Sequence, residues 1–284
     1  MLSRTGATTE RKNAKGKGRT ARTRLVLFCL TSGLSLLAFC SVPYEFVSAL
    51  LASPEAQTSA PARPDGSVLR SLVQLVAIGP GEQGKNQECS ATGFLVNEEG
   101  YIITNAHVVE DARQCLGNSP NAKIVAKLGP SDSRTAPAVS CTVARIDEVR
   151  DLALLKTDRP PTVGPAAEQA FALLDPREAA LGTPMIVSGY PGFAWMPVTQ
   201  SGKLVWRGNR KLSEKSEESS EVLILDIHLR PGNSGSPVYL STGDIVGVVV
   251  EGDLSEASHS IAVPIRYAIE LMKSHGLRWH ASQE

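Results

Sequence analysis

A chain of 284 residues with 42% apolar and 20% charged side chains has ordinary globular composition and can build a sizeable core, which excludes a disordered or fibrous polymer and leaves room for one large domain or two small ones. The formal charges cancel, 29 basic against 29 acidic, so whole-molecule electrostatics give no reason to expect nucleic acid as a partner.

That balance conceals a polar start. Residues 1–24 carry eight basic side chains (Arg4, Arg11, Lys12, Lys15, Lys17, Arg19, Arg22 and Arg24) against Glu10 alone, and read as a basic, disordered cytoplasmic tail. Residues 25–42 then run without a charge. As a helix this run is about 27 Å long, against roughly 30 Å of bilayer hydrocarbon. The positive charges hold its first end in the cytoplasm, so the rest of the chain is expected to be translocated. Residues 25–52 are either a signal anchor with its membrane helix at 25–42, or a signal peptide removed near Val-Ser-Ala-Leu-Leu-Ala-Ser at 47–53. The long basic region favours the anchor; cleavage would make the protein secreted. Residues 53–67, rich in Pro, Ala and polar side chains, read as a linker.

The folded unit is expected over 68–284. Short β-type runs at 72–78, 91–96, 101–104, 122–128, 138–146 and 152–156 alternate with turn signals, and Asn-Glu-Glu-Gly at 97–100 reads as a hairpin turn. This spacing fits a six-stranded antiparallel barrel over about 68–160, with a short helical turn at 106–112. A connector at 157–182 holds four prolines and little β pattern. A second set of strands is expected at 184–189, 197–206, 222–227, 236–240, 244–250 and 258–263, within about 180–263. Ile265, Ala268, Ile269 and Met272 fall at helical spacing behind Pro264, a favoured first-turn residue, and predict a closing helix over 264–275. The polar stretch between 207 and 221 reads as a solvated loop.

Three positions carry potential chemistry. Ser234 lies in Gly-Asn-Ser-Gly-Ser-Pro at 232–237, where Gly232 and Gly235 permit a tight turn that exposes a hydroxyl. A hydroxyl is a weak nucleophile at neutral pH and needs a base for its proton and donors for the oxyanion it creates; the amides of Gly232 and Ser234 are the candidate donors. Such tetrapeptides are by themselves usually ordinary turns. Upstream, however, His107 follows the apolar run Ile-Ile-Thr-Asn-Ala at 102–106, and Asp151 opens the apolar run Leu-Ala-Leu-Leu at 152–155. His, Asp and Ser therefore appear in the order 107, 151, 234, unlike the order in subtilisin or the α/β-hydrolases.

Together with Ala-Thr-Gly-Phe-Leu-Val at 91–96, Gly-Tyr-Pro-Gly at 189–192 and Ile-Ala-Val-Pro at 261–264, these segments resemble the chymotrypsin-fold serine proteases, most nearly the HtrA-type and V8-type bacterial members. The resemblance spans about residues 70 to 275. It implies an all-β fold of two six-stranded antiparallel barrels with a C-terminal helix, preceded here by the hydrophobic membrane helix. It also implies His107 as general base, Asp151 as the group that orients it, and Ser234 as nucleophile. With Glu284 as the last residue, the PDZ domain of HtrA proteins is not expected. Asn233 stands where digestive proteases carry the aspartate that pairs with a new N-terminus, so activation of that kind is not expected. Ser236 replaces a second glycine, as in V8-type members.

By the same resemblance, His228, Leu229 and Arg230 line the primary pocket, with His228 read alternatively as a strand residue turned away from it, and Val249, Val250 and Glu251 belong to the strand along which substrate pairs. Leu229 and the valines imply a small or medium apolar side chain at the cleaved bond. Without an aspartate at the pocket base, Arg or Lys is not expected there. His228 leaves a glutamate preference open. Cys89, Cys115 and Cys141 in the domain allow three pairings with one thiol left over; the resemblance implies Cys89–Cys115. No residue spacing points to a metal, a nucleotide or any other cofactor. The expected function is a membrane-tethered serine endopeptidase acting on peptide or unfolded-protein substrates outside the cytoplasm, in the periplasm or extracellular space, in protein quality control or regulated proteolysis. The alternative is a protease-fold scaffold that binds peptides with weak or no catalysis.

Overall fold

The computed structural model describes residues 66–80, 86–115, 117, 124–129, 132–161, 171–213, 216–252 and 259–281. The expected basic tail, membrane segment and nearly all of the linker lie outside the described residues. Among those described, no helix is long and apolar enough to cross a membrane.

The chain opens with a short helix, α1 (Gly66–Ser71), and six strands follow: β1 (Leu72–Pro80), β2 (Asn86–Leu95), β3 (Tyr101–Thr104), β4 (Ile124–Leu128), β5 (Ala138–Asp147) and β6 (Leu152–Thr157). They close into an antiparallel barrel in the order β1-β2-β3-β6-β5-β4. Period-two alternation turns Ile124, Ala126 and Leu128 inward on β4. The turn between β2 and β3 is drawn tight by Asn97, whose carbonyl accepts the Gly100 amide at 3.1 Å and whose side-chain oxygen accepts the Tyr101 amide at 3.3 Å. Between β3 and β4 lies α2 (Ala106–Cys115), three residues longer than the short helical turn expected over 106–112, with Val108, Val109, Ala112 and Cys115 buried. A Cys89–Cys115 disulfide ties the end of α2 to β2, and Cys141 remains a buried free thiol.

The remaining elements are β7 (Leu173–Leu174), β8 (Pro184–Gly189), a 3-10 turn (Pro191–Phe193), β9 (Val198–Arg210), β10 (Ser220–Leu225), β11 (Pro237–Tyr239), β12 (Ile245–Gly252), β13 (Ser260–Pro264), α3 (Ile265–Ser274) and β14 (His280–Ala281). Six of these strands run in the order β11-β8-β9-β10-β13-β12, and β11 also pairs with β12, which closes the second ring. The two-residue strands β7 and β14 are added in parallel beyond β12. The closing helix buries Ile265, Ala268, Ile269, Leu271 and Met272, the face its spacing predicts.

One expectation changes. The stretch from 207 to 221 does not stay a loop throughout: β9 continues to Arg210 and pairs with β10 from Ser220, with Asn209 opposite Glu221. Its charged residues find partners across the barrel surface, Arg266 with Glu221 and Arg207 with Glu178, so polar sequence is accommodated in a strand.

Each barrel has its own apolar centre: Leu75, Leu95, Ile102 and Leu155 in the first, and Val187, Leu204, Leu225 and Val249 in the second. A further cluster that includes Phe94, Ile103, Leu154, Tyr190, Tyr239 and Val248 joins the two. Each such fully buried side chain stabilises the fold by about 1.5–3 kcal/mol. The apolar joint holds the two barrels in register, and polar residues from both meet along its rim.

Candidate active site

The first barrel supplies an imidazole and a carboxylate. At the end of β3 the chain turns into α2 at buried Asn105, whose amide nitrogen donates to the Asp151 carbonyl at 2.9 Å. Asp151 sits at the head of β6 with φ +53, a left-handed conformation that Asp adopts more readily than most residues. Its carboxylate grips His107 twice: Oδ1 accepts the His107 backbone amide at 2.9 Å and Oδ2 lies 2.7 Å from Nδ1. An ionised carboxylate can only accept, so Nδ1 carries the proton and Nε2 is the basic atom of the neutral ring. The Asp151 side chain is 13% exposed and that of His107 38%, so the carboxylate is sheltered while the ring reaches solvent.

The second barrel supplies the alcohol. Ser234 lies in a turn in which Gly232 has φ +98 and Gly235 φ +80. A Cβ on Gly232 would come 2.5 Å from the Tyr190 carbonyl oxygen, so both space and conformation demand glycine there. The turn is fastened from within by Asn233 N–H to Arg230 O (3.1 Å) and Ser236 N–H to Asn233 O (2.9 Å), and to β12 by Gly235 N–H to Val249 O (3.0 Å). Buried Asn233 also donates its side-chain amide to Arg230 O at 3.2 Å.

Thr92 on β2 fastens the turn to the other barrel. Its amide donates to Ser234 O at 3.0 Å, its hydroxyl to Gly232 O at 2.8 Å, and that hydroxyl accepts the Tyr190 amide at 2.9 Å. Residue-level reading gave Thr92 no role, although it lies in a motif that carries the resemblance. Gly192, φ +56, contributes a second tie: its amide donates to Pro231 O at 2.8 Å. In a trans peptide the carbonyl and the following N–H point in opposite directions. With Pro231 O turned to Gly192, the Gly232 amide is turned away from it. Among the described residues, the amides of Gly232 and Ser234 donate to no protein acceptor, and the Ser234 hydroxyl makes no hydrogen bond.

His107 and Ser234 meet in a cleft with two halves. The larger, about 650 Å³, is lined by His107, Asp151, Ser234, Arg230 and Val250 among others; the smaller, about 360 Å³, shares His107 and Ser234 and adds Gly232. The six residues expected to bind substrate are therefore divided. Arg230 and Val250 line the cleft, whereas Leu229 and Val249 are each 1% exposed and pack in the second barrel's core. His228 is exposed but lines neither half, and its carbonyl accepts the Gln200 amide at 2.6 Å. Glu251 lies on β12, its backbone opposite Ile261. Burial alternates from Ile227 to Arg230, so three consecutive side chains cannot all face one pocket. Among the described residues no cluster of His, Cys, Asp or Glu is arranged to hold a metal.

The family model of the trypsin-like peptidase domain matches residues 91–248. A probable periplasmic serine endoprotease, DegP-like, of Pseudomonas putida (strain W619) is 26% identical over 208 residues, which covers 71% of this chain and 38% of that protein. The chain thus spans well under half the length of this curated relative. Among solved structures, the active form of the Rv3671c protease from M. tuberculosis has a TM-score of 0.58 at 18% identity, covering 76% of this chain and 85% of that one. An HtrA-type protease, AlgW, with a tripeptide has a TM-score of 0.55 at 20% identity, covering 73% of this chain and 60% of that one. These likenesses show a shared fold. With a family model matched over more than half of its length, the chain belongs to the trypsin-like peptidase family.

Proposed function

We propose that this protein is a serine endopeptidase in which Ser234 is the nucleophile, His107 the general base and Asp151 the group that fixes the imidazole. The observation that carries this reading is the paired grip of the Asp151 carboxylate on His107 beside Ser234 in one cleft. The Ser234 hydroxyl attacks the peptide carbonyl carbon while its proton passes to His107 Nε2. The carbonyl oxygen, now negative, is stabilised by the unengaged amides of Gly232 and Ser234. As the C–N bond breaks, the imidazolium returns that proton to the leaving amine, and an acyl ester remains on Ser234. Water, deprotonated by the same imidazole, then hydrolyses the ester and restores the hydroxyl.

The catalytic domain is assigned to the outside of the cytoplasm, tethered through residues 25–42. The Cys89–Cys115 disulfide supports an oxidising compartment, and the P. putida relative is named periplasmic. Peptide or unfolded-protein segments are the substrates this reading assigns. A second reading is a peptide-binding scaffold with weak catalysis, favoured by the absence of a hydrogen bond from the Ser234 hydroxyl; resting proteases often form that bond only with substrate bound. Fluorophosphonate labelling of the full chain separates the two: labelling that disappears in Ser234→Ala supports the peptidase, and a wild-type chain that neither labels nor cleaves peptides supports the scaffold.

A further inference from the structure

The smaller half of the cleft has a chemistry of its own. Leu75, Ala77, Ala91, Val108, Ile124 and Phe193 line it together with the polar Ser90 and Gln114, and among the described residues the ionisable side chains lining it are His107 and Asp111. Phe193 is unusual in two ways. It is 46% exposed, and its φ is +63, in the left-handed region that a bulky aromatic rarely occupies. Backbone strain of this kind persists where the surrounding structure enforces it, and it gathers at functional sites. The enforcing contacts are present: Ala194 N–H closes the 3-10 turn on Pro191 O at 2.9 Å, and Gly192 N–H is held by Pro231 O, one residue before Gly232. Trp195 and Met196, two and three residues further along, are also exposed, at 57% and 55%.

The direction of the substrate follows from β12. In the peptidase reading, on which this inference rests, the segment before the cleaved bond pairs along β12, and Val250 and Gly252 of that strand line the larger half of the cleft and not the smaller. The segment after the bond must then leave Ser234 through the smaller half. We infer that this half is a subsite for a large apolar side chain just beyond the scissile bond, with Phe193 as its specificity-determining wall. A space of about 360 Å³ lies within the size range of small-molecule pockets and admits a Leu, Phe or Trp side chain. Burying such a side chain removes apolar surface of substrate and enzyme from water together, whereas an acidic side chain would lose hydration beside the Asp111 carboxylate. An aromatic held at the cleft edge in a costly conformation is thereby given a use, since it completes a wall that the core residues leave open to solvent.

The test is hydrolysis of a peptide library varied at the two positions after the cleaved bond, by full-length wild type, Phe193→Ala and Phe193→Leu, with kcat/KM normalised to sites titrated by fluorophosphonate. Wild type is expected to favour large apolar over charged residues. Phe193→Ala should lose roughly tenfold of that ratio, the scale on which apolar contacts discriminate, and Phe193→Leu should recover most of it. A rate lowered for all peptides alike, with the ratio intact, counts against the inference. A labelled, active enzyme with no apolar preference, or with a preference that Phe193→Ala leaves untouched, overturns this inference and spares the peptidase reading. A chain that neither labels nor cleaves overturns both.

Discussion

Among the described residues, on the side lined by Val250 and Gly252 the cleft carries Glu110, Arg113, Glu148, Asp151 and Arg230 besides His107, whereas on the side lined by Phe193 it carries only Asp111 besides His107. The two halves meet at Ser234, so a peptide lying across it would pass from a charged wall of mixed sign to an apolar recess. Charges exposed in a cleft select weakly and respond to ionic strength, while a recess selects by shape and by water expelled. In the proposed peptidase, the difference separates two kinds of specificity on the two sides of one bond, with a common chemical centre that either kind requires.

Removing that centre silences both halves and has the largest expected effect. Ser234→Ala should lower kcat roughly 10⁶-fold, and Asp151→Asn roughly 10⁴-fold because the imidazole is then held in the wrong tautomer; steady-state hydrolysis of one good peptide measures both. Gly232→Ala comes next. Its φ of +98 and the nearby Tyr190 carbonyl force the turn to move, and loss of one oxyanion donor should cost roughly 10²–10³ in kcat, equally for peptides that differ on either side of the bond. A Gly232→Ala enzyme with altered selectivity and normal kcat would break the idea of a shared centre.

The three residues of the proposed centre were legible in the chain. Ser234, His107 and Asp151 each sit in a local context with a physical signature: glycines around a serine, a histidine after an apolar run, and an aspartate opening a strand. The supports of those residues were not legible. Thr92 reaches Gly232 across 140 positions of sequence, and Gly192 reaches Pro231 across the head of the second barrel; neither contact leaves a periodicity to read. The pocket assignment of 228–230 placed three consecutive residues on one face, where extended backbone sends neighbours to opposite faces. The two-residue strands β7 and β14 are too short to show any pattern. The stretch from 207 to 221 is polar apart from Leu212, and the pairing of β9 with β10 and the ion pairs made by Arg207, Glu221 and Arg266 across elements leave no period in it to read.

Smaller effects sharpen the comparison. In about 1 M salt the Debye length falls to about 3 Å, so selectivity among charged residues before the cleaved bond should weaken severalfold, while the apolar preference after it persists or strengthens. Cleavage profiles of the same library at low and high salt measure this, and equal salt dependence on both sides would contradict it. The smallest expected effect is at Cys141, far from the cleft chemistry. Burial pushes its thiol up to about 12, so no reactive thiolate forms at neutral pH. Thiol reagents should leave Cys141 unmodified in the folded protein and label it only after denaturation, as read by mass spectrometry.

The central claim is most directly tested by incubating the full chain with a fluorophosphonate and locating the adduct by peptide mass spectrometry. The account predicts one adduct, on Ser234, formed more slowly by orders of magnitude in His107→Ala. An adduct on another serine, or none on a folded wild-type chain, would contradict it.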